Sequence, residues 1–301
     1  MKMSSVEEKT REIYHEIHVK QGDDQKIFYR LVQLLNPTFL KEEEDFFKGK
    51  VCLDAGCGSN ANATYSMLKH GAEKVYAFDL NDTIFEKAPE YLQEFVGKYE
   101  LSIGNVLGIQ FSDNYFDFVN CAGVLHSTTD LVGGIKELSR VTKKGGMLCI
   151  QTYGKGGLVR EITSYFREKY KKDETFKSLI DNLNAEYFER FFQEIFSIMQ
   201  DHDDSFKNGV PVEMKTLFDN DLALTIKDRI MTPIYLEHSE EEITAFLKDA
   251  GFSEIQRLTR YPVLKNIRKY MSPLYYKYDS EFAKLLYGSG SIQVKAIKSG
   301  S

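Results

Sequence analysis

Short apolar runs alternate with stretches of helical periodicity between about residues 50 and 153. The apolar runs predict parallel strands buried on both faces, and the stretches between them predict helices. This alternation is typical of βαβ units and a parallel sheet. The predicted strands are Val51–Asp54, Lys74–Asp79, Glu100–Ile103, Phe116–Cys121 and Gly146–Thr152, and the predicted helices are Ala61–His70, Thr83–Val96 and Leu131–Val141.

The segments before and after this region have helical patterns of their own. Residues 5–40 are predicted to be helical, with Pro37 ending the segment. After the fifth strand the sheet pattern disappears for about 85 residues. That region contains an apolar stripe at helical spacing, which predicts an amphipathic helix. The stripe consists of Phe188, Phe191, Phe192, Ile195, Phe196 and Met199.

The sheet pattern returns near the end of the sequence. Ser239 and Glu242 have the spacing of a capping box, which predicts the start of a helix over Glu240–Ala250. Gly251 supplies the expected glycine after that helix. The following elements are predicted as a strand, a helix and a last strand, over Phe252–Tyr261, Tyr275–Tyr287 and Ser291–Ile297.

These patterns predict an α/β fold with a Rossmann-like, seven-stranded, mostly parallel sheet and helices on both faces. N-terminal helices precede the sheet, and a helical insertion follows the fifth strand. We expect an N-terminal helical cap at 1–45, a cofactor-binding core at 46–154 and 239–298, and the insertion at 155–238.

Composition limits the partners that this fold can have. The 301 residues include 39 Lys and Arg against 45 Asp and Glu, a net charge of −6 that disfavours a nucleic-acid partner. No apolar stretch is long enough for a membrane span, and Met1–Thr10 has no signal-peptide core, so we expect a cytoplasmic protein. The spacing of the cysteines fits no zinc site, and we predict no metal.

The most informative run is Asp54-Ala55-Gly56-Cys57-Gly58, where a predicted strand ends in an acid and turns through glycines into a helix. Such a turn lets the backbone approach a ligand while the helix N-terminus offers free N–H groups. Gly56-x-Gly58-x-x-Ala61 also satisfies the dinucleotide fingerprint, and Asp79 lies at the offset of a ribose-binding acid. A nucleotide-dependent oxidoreductase therefore competes with other nucleotide-binding proteins.

The charge of Asp54 favours one of these interpretations. A carboxylate directly before the turn would repel a pyrophosphate there, but it would attract the cationic amino-acid end of S-adenosylmethionine. The two final strands, the last after Gly288-Ser289-Gly290, also differ from the repeated βαβ half of a dehydrogenase. Both observations favour a sulfonium cofactor.

Residues 50–153, together with 239–298, resemble class I S-adenosylmethionine-dependent methyltransferases of the broad small-molecule group. The glycine turn after the first strand is the first motif of the resemblance. The other motifs are Asp79-Leu80, Gly104-Asn105-Val106, Asp117-Phe118-Val119, Val124-Leu125-His126 and Lys143-Lys144-Gly145-Gly146.

The resemblance implies S-adenosylmethionine as cofactor and assigns residues to it. Asp54 would hold the amino group directly or through water, Asp79 would accept hydrogen bonds from both ribose hydroxyls, and Val106 would pack on the adenine. Asn105 stands where the family often has an Asp touching the adenine amino group, and Asn60 where many members have a third glycine. The implied cofactor-binding set is Asp54, Gly56, Cys57, Gly58, Asp79, Leu80, Asn105 and Val106.

Candidate catalytic residues follow the fourth and fifth strands. His126 has a side chain suited to remove a proton near neutral pH, and it follows the strand edge where open α/β sheets bind ligands. The alternative is that His126 only shapes the pocket. Tyr153 after the fifth strand is a second candidate, for catalysis and for substrate contact. We further predict that Tyr14 and Tyr29 face the substrate and that Arg160 binds an acidic group on it, although ordinary packing or a solvated charged face would explain these residues too.

The predicted function is methyl transfer to an O, N or C nucleophile of a small, aromatic or apolar acceptor by in-line displacement. The resemblance implies that the insertion at 155–238 serves as the substrate lid. Two alternatives stay open at this stage, a nucleotide-dependent oxidoreductase and a non-catalytic cofactor-binding subunit with a partner-binding insertion. We expect a monomer or homodimer.

Overall fold

The apolar runs of the sequence form the strands of one sheet in a computed structural model of the protein. The structure describes residues 5–22, 25–183, 194, 227–258, 281, 284–285 and 288–300. Within these residues the strands are β1 (Val51–Ala55), β2 (Lys74–Asp79), β3 (Tyr99–Ile103), β4 (Phe116–Ala122), β5 (Thr142–Tyr153), β6 (Phe252–Arg257) and β7 (Ser291–Lys298).

The sheet contains seven strands in the order β3-β2-β1-β4-β5-β7-β6. The first five strands along the chain pair in parallel, while β7 runs antiparallel to both β5 and β6. The predicted Rossmann-like, mostly parallel sheet is confirmed. The antiparallel β7 between β5 and β6 departs from the 3-2-1-4-5-6 order of dinucleotide-binding folds, which argues against the oxidoreductase interpretation.

Helices precede the sheet and lie between most of its strands in chain order. They are α1 (Ser5–Gly22), α2 (Gln25–Val32), α3 (Pro37–Leu40), α4 (Asn62–Lys69), α5 (Ile84–Leu92), α6 (Leu131–Val141), α7 (Leu158–Lys172), α8 (Glu174–Asp181) and α9 (Glu240–Asp249). Short 3-10 turns cover Gln93–Phe95 and Leu125–Ser127. The predicted capping box is confirmed, because Ser239 Oγ accepts from the Glu242 N–H and Glu242 accepts from the Ser239 N–H.

Three predicted boundaries need correction. Pro37 begins α3 instead of ending a helix, since the first helical position needs no N–H and the Asn36 side chain caps the turn at Phe39 N. The helix predicted over Thr83–Val96 is α5 followed by a 3-10 turn. β5 begins at Thr142, four residues earlier than predicted, because a shift in its pairing with β4 accommodates Lys143–Gly146.

Apolar side chains fill both sides of the sheet. One cluster includes Phe28 from α2, Met67 from α4 and Phe118 from β4. The other includes Leu138 from α6 and Leu247 from α9. Since helices cover the sheet from both faces, the exposed ends of the parallel strands are the natural place for a ligand.

The chain divides into two compact units, residues 1–161 with 233–301 and residues 162–232. In the second unit, Ile180, Leu183 and Ile230 form an apolar cluster. The aromatic stripe over 188–199 lies outside the described residues, as do most of the residues predicted to be helical over 275–287. The predicted domain boundaries and the lid role of 155–238 stay predictions. Among the described helices, none combines the length and apolar character needed to cross a bilayer.

Candidate functional site

The turn after β1 packs tightly against the end of β2 and against the side chain of Val124. The N–H groups of Gly56 and Cys57 both donate to the Phe78 carbonyl at the end of β2, at 2.8 and 3.1 Å. Gly56 has a φ of +78°, and a Cβ placed there would lie 2.2 Å from Cγ2 of Val124. Only glycine satisfies both the dihedral angle and the space.

A cavity of about 240 Å³ opens beside this turn, at the carboxyl ends of the parallel strands. Most of the predicted cofactor-binding residues line it, which brings together positions spread over about 50 residues of sequence. Those residues are Gly56, Cys57, Gly58, Asp79, Leu80, Asn105 and Val106. Tyr14, predicted to face the substrate, lines the same cavity.

Asp79 is held at the rim of the cavity by two backbone donors. The Gly58 N–H donates to Oδ2 at 2.9 Å and the Asn81 N–H donates to Oδ1 at 3.0 Å. A carboxylate oxygen can accept more than one hydrogen bond. Asp79 is therefore oriented and keeps capacity for two further donors, such as a pair of ribose hydroxyls.

Asn105 lies across the cavity with both ends of its amide engaged. Its Nδ2 donates to Glu7 Oε1 at 2.6 Å, and its Oδ1 accepts from the Leu107 N–H at 2.9 Å. The amide oxygen can accept one more hydrogen bond. Val106, which is almost fully buried, supplies an apolar surface next to it.

Asp54 lies behind the turn and is not among the residues that line the cavity. Its carboxylate is 1% exposed and accepts from Thr64 Oγ1 at 2.8 Å and from Asn120 Nδ2 at 2.9 Å. Burial raises the pKa of Asp54 to about 6, against the lowering effect of these hydrogen bonds. The predicted contact of Asp54 with the cofactor stays a prediction, and the structure places its charge beneath the turn.

The N-terminal helix α1 supplies cavity residues that the sequence did not single out. Glu7 and Arg11 join Tyr14 in the lining. Asn81, which follows β2, donates to the Arg11 carbonyl at 2.9 Å, and its Oδ1 lies 3.0 Å from His15 Nδ1. Such polar contacts leave no periodic pattern in the sequence. The position of Asn81, two residues after Asp79, is the one sequence feature that places it near the predicted site.

His126, Tyr153 and Arg160 form a stack next to the cavity wall. The rings of His126 and Tyr153 have centroids 3.8 Å apart, and the Arg160 guanidinium carbon lies 4.7 Å from the centroid of Tyr153. Arg160 Nε donates to the Gly154 carbonyl and lies 3.2 Å from Glu237 Oε1.

This stack does not contribute to the cavity lining in the part of the chain that the structure describes. Ser127, the neighbour of His126, does line the cavity, and its hydroxyl lies 3.0 Å from the Tyr14 hydroxyl. The catalytic roles of His126 and Tyr153 and the substrate role of Arg160 stay predictions.

Tyr29 and Cys57, two further residues considered in the sequence, lie in different surroundings. Tyr29 is 53% exposed and lies in another groove, which shares no lining residue with the 240 Å³ cavity. Cys57 lines the cavity but is buried, and burial raises the pKa of its thiol. A thiol held neutral is a poor nucleophile, in agreement with its role as a small turn residue.

The comparisons with known proteins converge on this part of the chain. Residues 53–150 match the family model of a methyltransferase domain. This match agrees with the predicted resemblance to class I S-adenosylmethionine-dependent methyltransferases. The residues that line the cavity fit the chemical groups of S-adenosylmethionine, the cofactor that the resemblance implies. The glycine turn leaves room that a Cβ would fill, Asp79 and Asn105 offer acceptor oxygens, and Val106 offers an apolar face.

Curated relatives match the methyltransferase domain and its surroundings. A demethylmenaquinone methyltransferase of Geobacillus kaustophilus is 33% identical over 108 residues, 35% of this chain and 46% of that protein. A tRNA U34 carboxymethyltransferase of a Sulfurovum species is 33% identical over 131 residues, 42% of this chain and 41% of that protein. The chain thus spans less than half the length of these relatives.

A solved structure is similar over nearly the whole chain. It is the complex between the Haloferax volcanii Trm112 methyltransferase activator and a methyltransferase, with a TM-score of 0.55 and 12% identity. The similarity covers 96% of this chain and 97% of that one. At this identity the similarity concerns the fold of the methyltransferase domain and its flanking elements.

The lack of space for a side chain at Gly56 leads to a first prediction. Gly56→Ala is expected to lower the affinity for S-adenosylhomocysteine more than tenfold, because the added Cβ must displace Val124, which lines the cavity. Isothermal titration measures the effect. Gly97→Ala is the matched control, because Gly97 also has a positive φ, +87°, but a Cβ added there would have no atom within 4 Å. Equal losses of affinity in the two variants would contradict the steric explanation.

The buried Asp54 carboxyl generates a second prediction. Because its pKa is raised from 3.8 to about 6, its contribution to stability is present below about pH 4 and is lost as the pH rises through 6. At about 1.4 kcal/mol for each pKa unit, Asp54→Asn should raise the free energy of unfolding at pH 7 by up to about 3 kcal/mol relative to its effect at pH 4.

Urea unfolding at both pH values, with Asp45→Asn as a control at an exposed acid, measures this difference. A difference between Asp54→Asn and wild type that is the same at pH 4 and pH 7 would show that folding does not raise the pKa of Asp54.

Proposed function

We propose that the protein transfers the methyl group of S-adenosylmethionine to an O, N or C nucleophile of a small, ring-bearing or apolar acceptor. The observation that carries the proposal is the cavity at the carboxyl ends of the strands, where the glycine turn, Asp79 and Asn105 meet. When bound, the cofactor supplies a methyl carbon activated by a positively charged sulfur. In-line displacement then depends mainly on how the two reactants are aligned.

The residues around the cavity have separable tasks in this proposal. Gly56 and Gly58 let the backbone approach the cofactor, and Asp79, fixed by two backbone N–H groups, accepts from its ribose hydroxyls. Asn105 accepts from the adenine amino group and Val106 packs against the ring. Asp54, ionised at neutral pH in a region of low dielectric, favours the cationic amino-acid end from beneath the turn.

The proposed acceptor class rests on charge and on the names of relatives. With a net charge of −6, the chain lacks the overall basic character that aids binding to a polynucleotide. The matched demethylmenaquinone methyltransferases are named for a ring-bearing acceptor. A matched relative named for tRNA makes tRNA the acceptor to test against.

His126 and Tyr153 are proposed as the residues that receive or orient the proton of the nucleophile. Their rings are stacked, and the backbone next to His126 reaches the cavity through Ser127. Tyr14, whose hydroxyl lies 3.0 Å from the Ser127 hydroxyl, is proposed to contact the acceptor. We also propose that 155–238 contributes to acceptor recognition, with Arg160 as its anchor for an acidic group. We further propose that the protein is cytoplasmic and acts as a monomer or homodimer.

An acceptor assay tests the acceptor class. The protein is incubated with S-adenosylmethionine labelled in its methyl group and either a hydroxynaphthoquinol or bulk tRNA. Label is expected in the organic extract of the quinol reaction and not in the precipitated tRNA, with the Gly56→Ala variant as the negative control. Label in tRNA alone would overturn the small-molecule proposal, and label in neither fraction would overturn the ring-bearing class.

Substitution of His126 tests the proton-transfer role. With the acceptor that takes the label, His126→Ala should lower kcat by tenfold or more and flatten its dependence on pH between about 5 and 8. The dissociation constant for S-adenosylhomocysteine should stay within about threefold of wild type. His70→Ala, which alters a histidine away from the cavity, serves as the control. An unchanged kcat and pH profile in His126→Ala would contradict the role.

A further inference from the structure

One face of α1 lines the cavity of the proposed cofactor site. The cavity-lining residues of this helix follow one another at intervals of one or three positions, which keeps them on one side of a helix. They are Val6, Glu7, Thr10, Arg11 and Tyr14. The proposed function gives a task to Tyr14, but it gives none to Glu7, a half-buried acid in the first turn of the helix.

The carboxylate of Glu7 sets the orientation of the Asn105 amide. Asn105 Nδ2 donates to Glu7 Oε1 at 2.6 Å, and Asn105 Oδ1 accepts from the Leu107 N–H at 2.9 Å. An ionised carboxylate can only accept hydrogen bonds and a backbone N–H can only donate, so the amide satisfies both partners in one orientation alone. The bond to Glu7 is also charge-assisted, which makes it stronger than a bond between neutral groups.

Glu7 and Asn105 together offer a ligand hydrogen-bond acceptors. The amide oxygen of Asn105 can accept a second hydrogen bond, and a carboxylate has about four acceptor positions, of which the bond to Asn105 uses one. An aspartate at position 105 would place a second carboxylate at hydrogen-bond distance from Glu7, and the two like charges would repel each other. The neutral amide at 105 therefore lets the acid of α1 come this close.

The position of this pair along the sheet corresponds to the base of the cofactor. The strands β3, β2 and β1 are neighbours in that order, so Asn105, Asp79 and the glycine turn follow one another along one edge of the sheet. With the ribose at Asp79, as in the proposed function, the adenine lies toward Asn105 and Glu7. The amino group of adenine carries two N–H donors, which matches two acceptors.

We propose that Glu7 is a specificity-determining residue whose carboxylate, together with the Asn105 amide oxygen, accepts hydrogen bonds from the adenine amino group. This inference rests on the proposed function and extends the cofactor site to a helix outside the matched residues 53–150. Hypoxanthine, the deaminated base, carries a carbonyl oxygen in place of the amino group. That oxygen would meet two acceptors, and a site built around hydrogen bonds discriminates strongly against an analogue that leaves them unmade.

Isothermal titration of the whole chain with S-adenosylhomocysteine and with its deaminated analogue, S-inosylhomocysteine, tests the role of Glu7. Wild type should bind the adenine compound at least about 100-fold more tightly. Glu7→Gln should lower this ratio about tenfold or more, because the glutamine oxygen can accept from Asn105 while its NH₂ group donates to the hypoxanthine oxygen. Glu8→Gln, which alters the exposed acid next to Glu7, is the matched control and should keep the wild-type ratio.

The ratio of the two affinities separates recognition of the base from general damage, because a merely distorted cavity loses affinity for both compounds alike. An unchanged ratio in Glu7→Gln, or equal binding of the two compounds by wild type, would overturn the role of Glu7 and would leave the proposed methyl transfer intact. If wild type did not bind S-adenosylhomocysteine at all, the proposed function would be overturned, and this inference with it.

Discussion

The close approach of the Gly56 backbone to the Val124 side chain is the constraint on which the proposed cofactor site depends. It requires glycine at the turn, and it holds the loops after β1 and β4 against each other. The Phe78 carbonyl, bonded by two consecutive N–H groups of the turn, adds the end of β2 to the same junction. The ends of β1, β2 and β4 are thereby held in contact. The cavity lies beside this junction.

Two carboxylates lie at different depths around this junction. Asp54 is buried beneath the turn, and Asp79 stands at the rim with its oxygens held by backbone donors. The helix α1 contributes polar contacts on the other side, such as Glu7 with Asn105. A surface held by hydrogen bonds that water can replace opens at lower cost than one held by apolar packing. We therefore expect the sheet to form the more rigid side of the site and α1 to form the side that opens more easily.

The strands, and the position of most predicted cofactor-binding residues around one cavity, were predictable from sequence because both depend on local signals. A buried parallel strand appears as an apolar run, and the carboxyl ends of such strands must meet at one edge, which brought Gly56, Asp79 and Asn105 together. Glu7 was missed because its contact spans 98 positions and leaves no periodic trace. Pro37 was misinterpreted because proline both ends helices and begins them, and only the Asn36 cap distinguishes the two cases.

Tyr29 illustrates a different limit. Its predicted contact with the substrate stays a prediction, and its ring packs edge-on against Phe28 in a groove that shares no lining residue with the cavity. Which side of a short helix points inward is decided by packing against α4 and α5, and a single amphipathic pattern does not specify that partner. The chemistry of a side chain could be predicted here, while its neighbours could not.

The position of β7 in the sheet has a consequence for how the chain is made. Among the strands that the structure describes, β6 pairs with β7 alone, and β7 also covers the edge of β5. While the ribosome is still adding residues 291–298, β6 has no partner and β5 presents an unpaired edge, which is a surface prone to aggregation. The parallel half of the sheet can assemble during synthesis, but the sheet is complete only when β7 pairs with both β5 and β6. Protection of the β5 edge therefore depends on the strand that is made after all the other described strands.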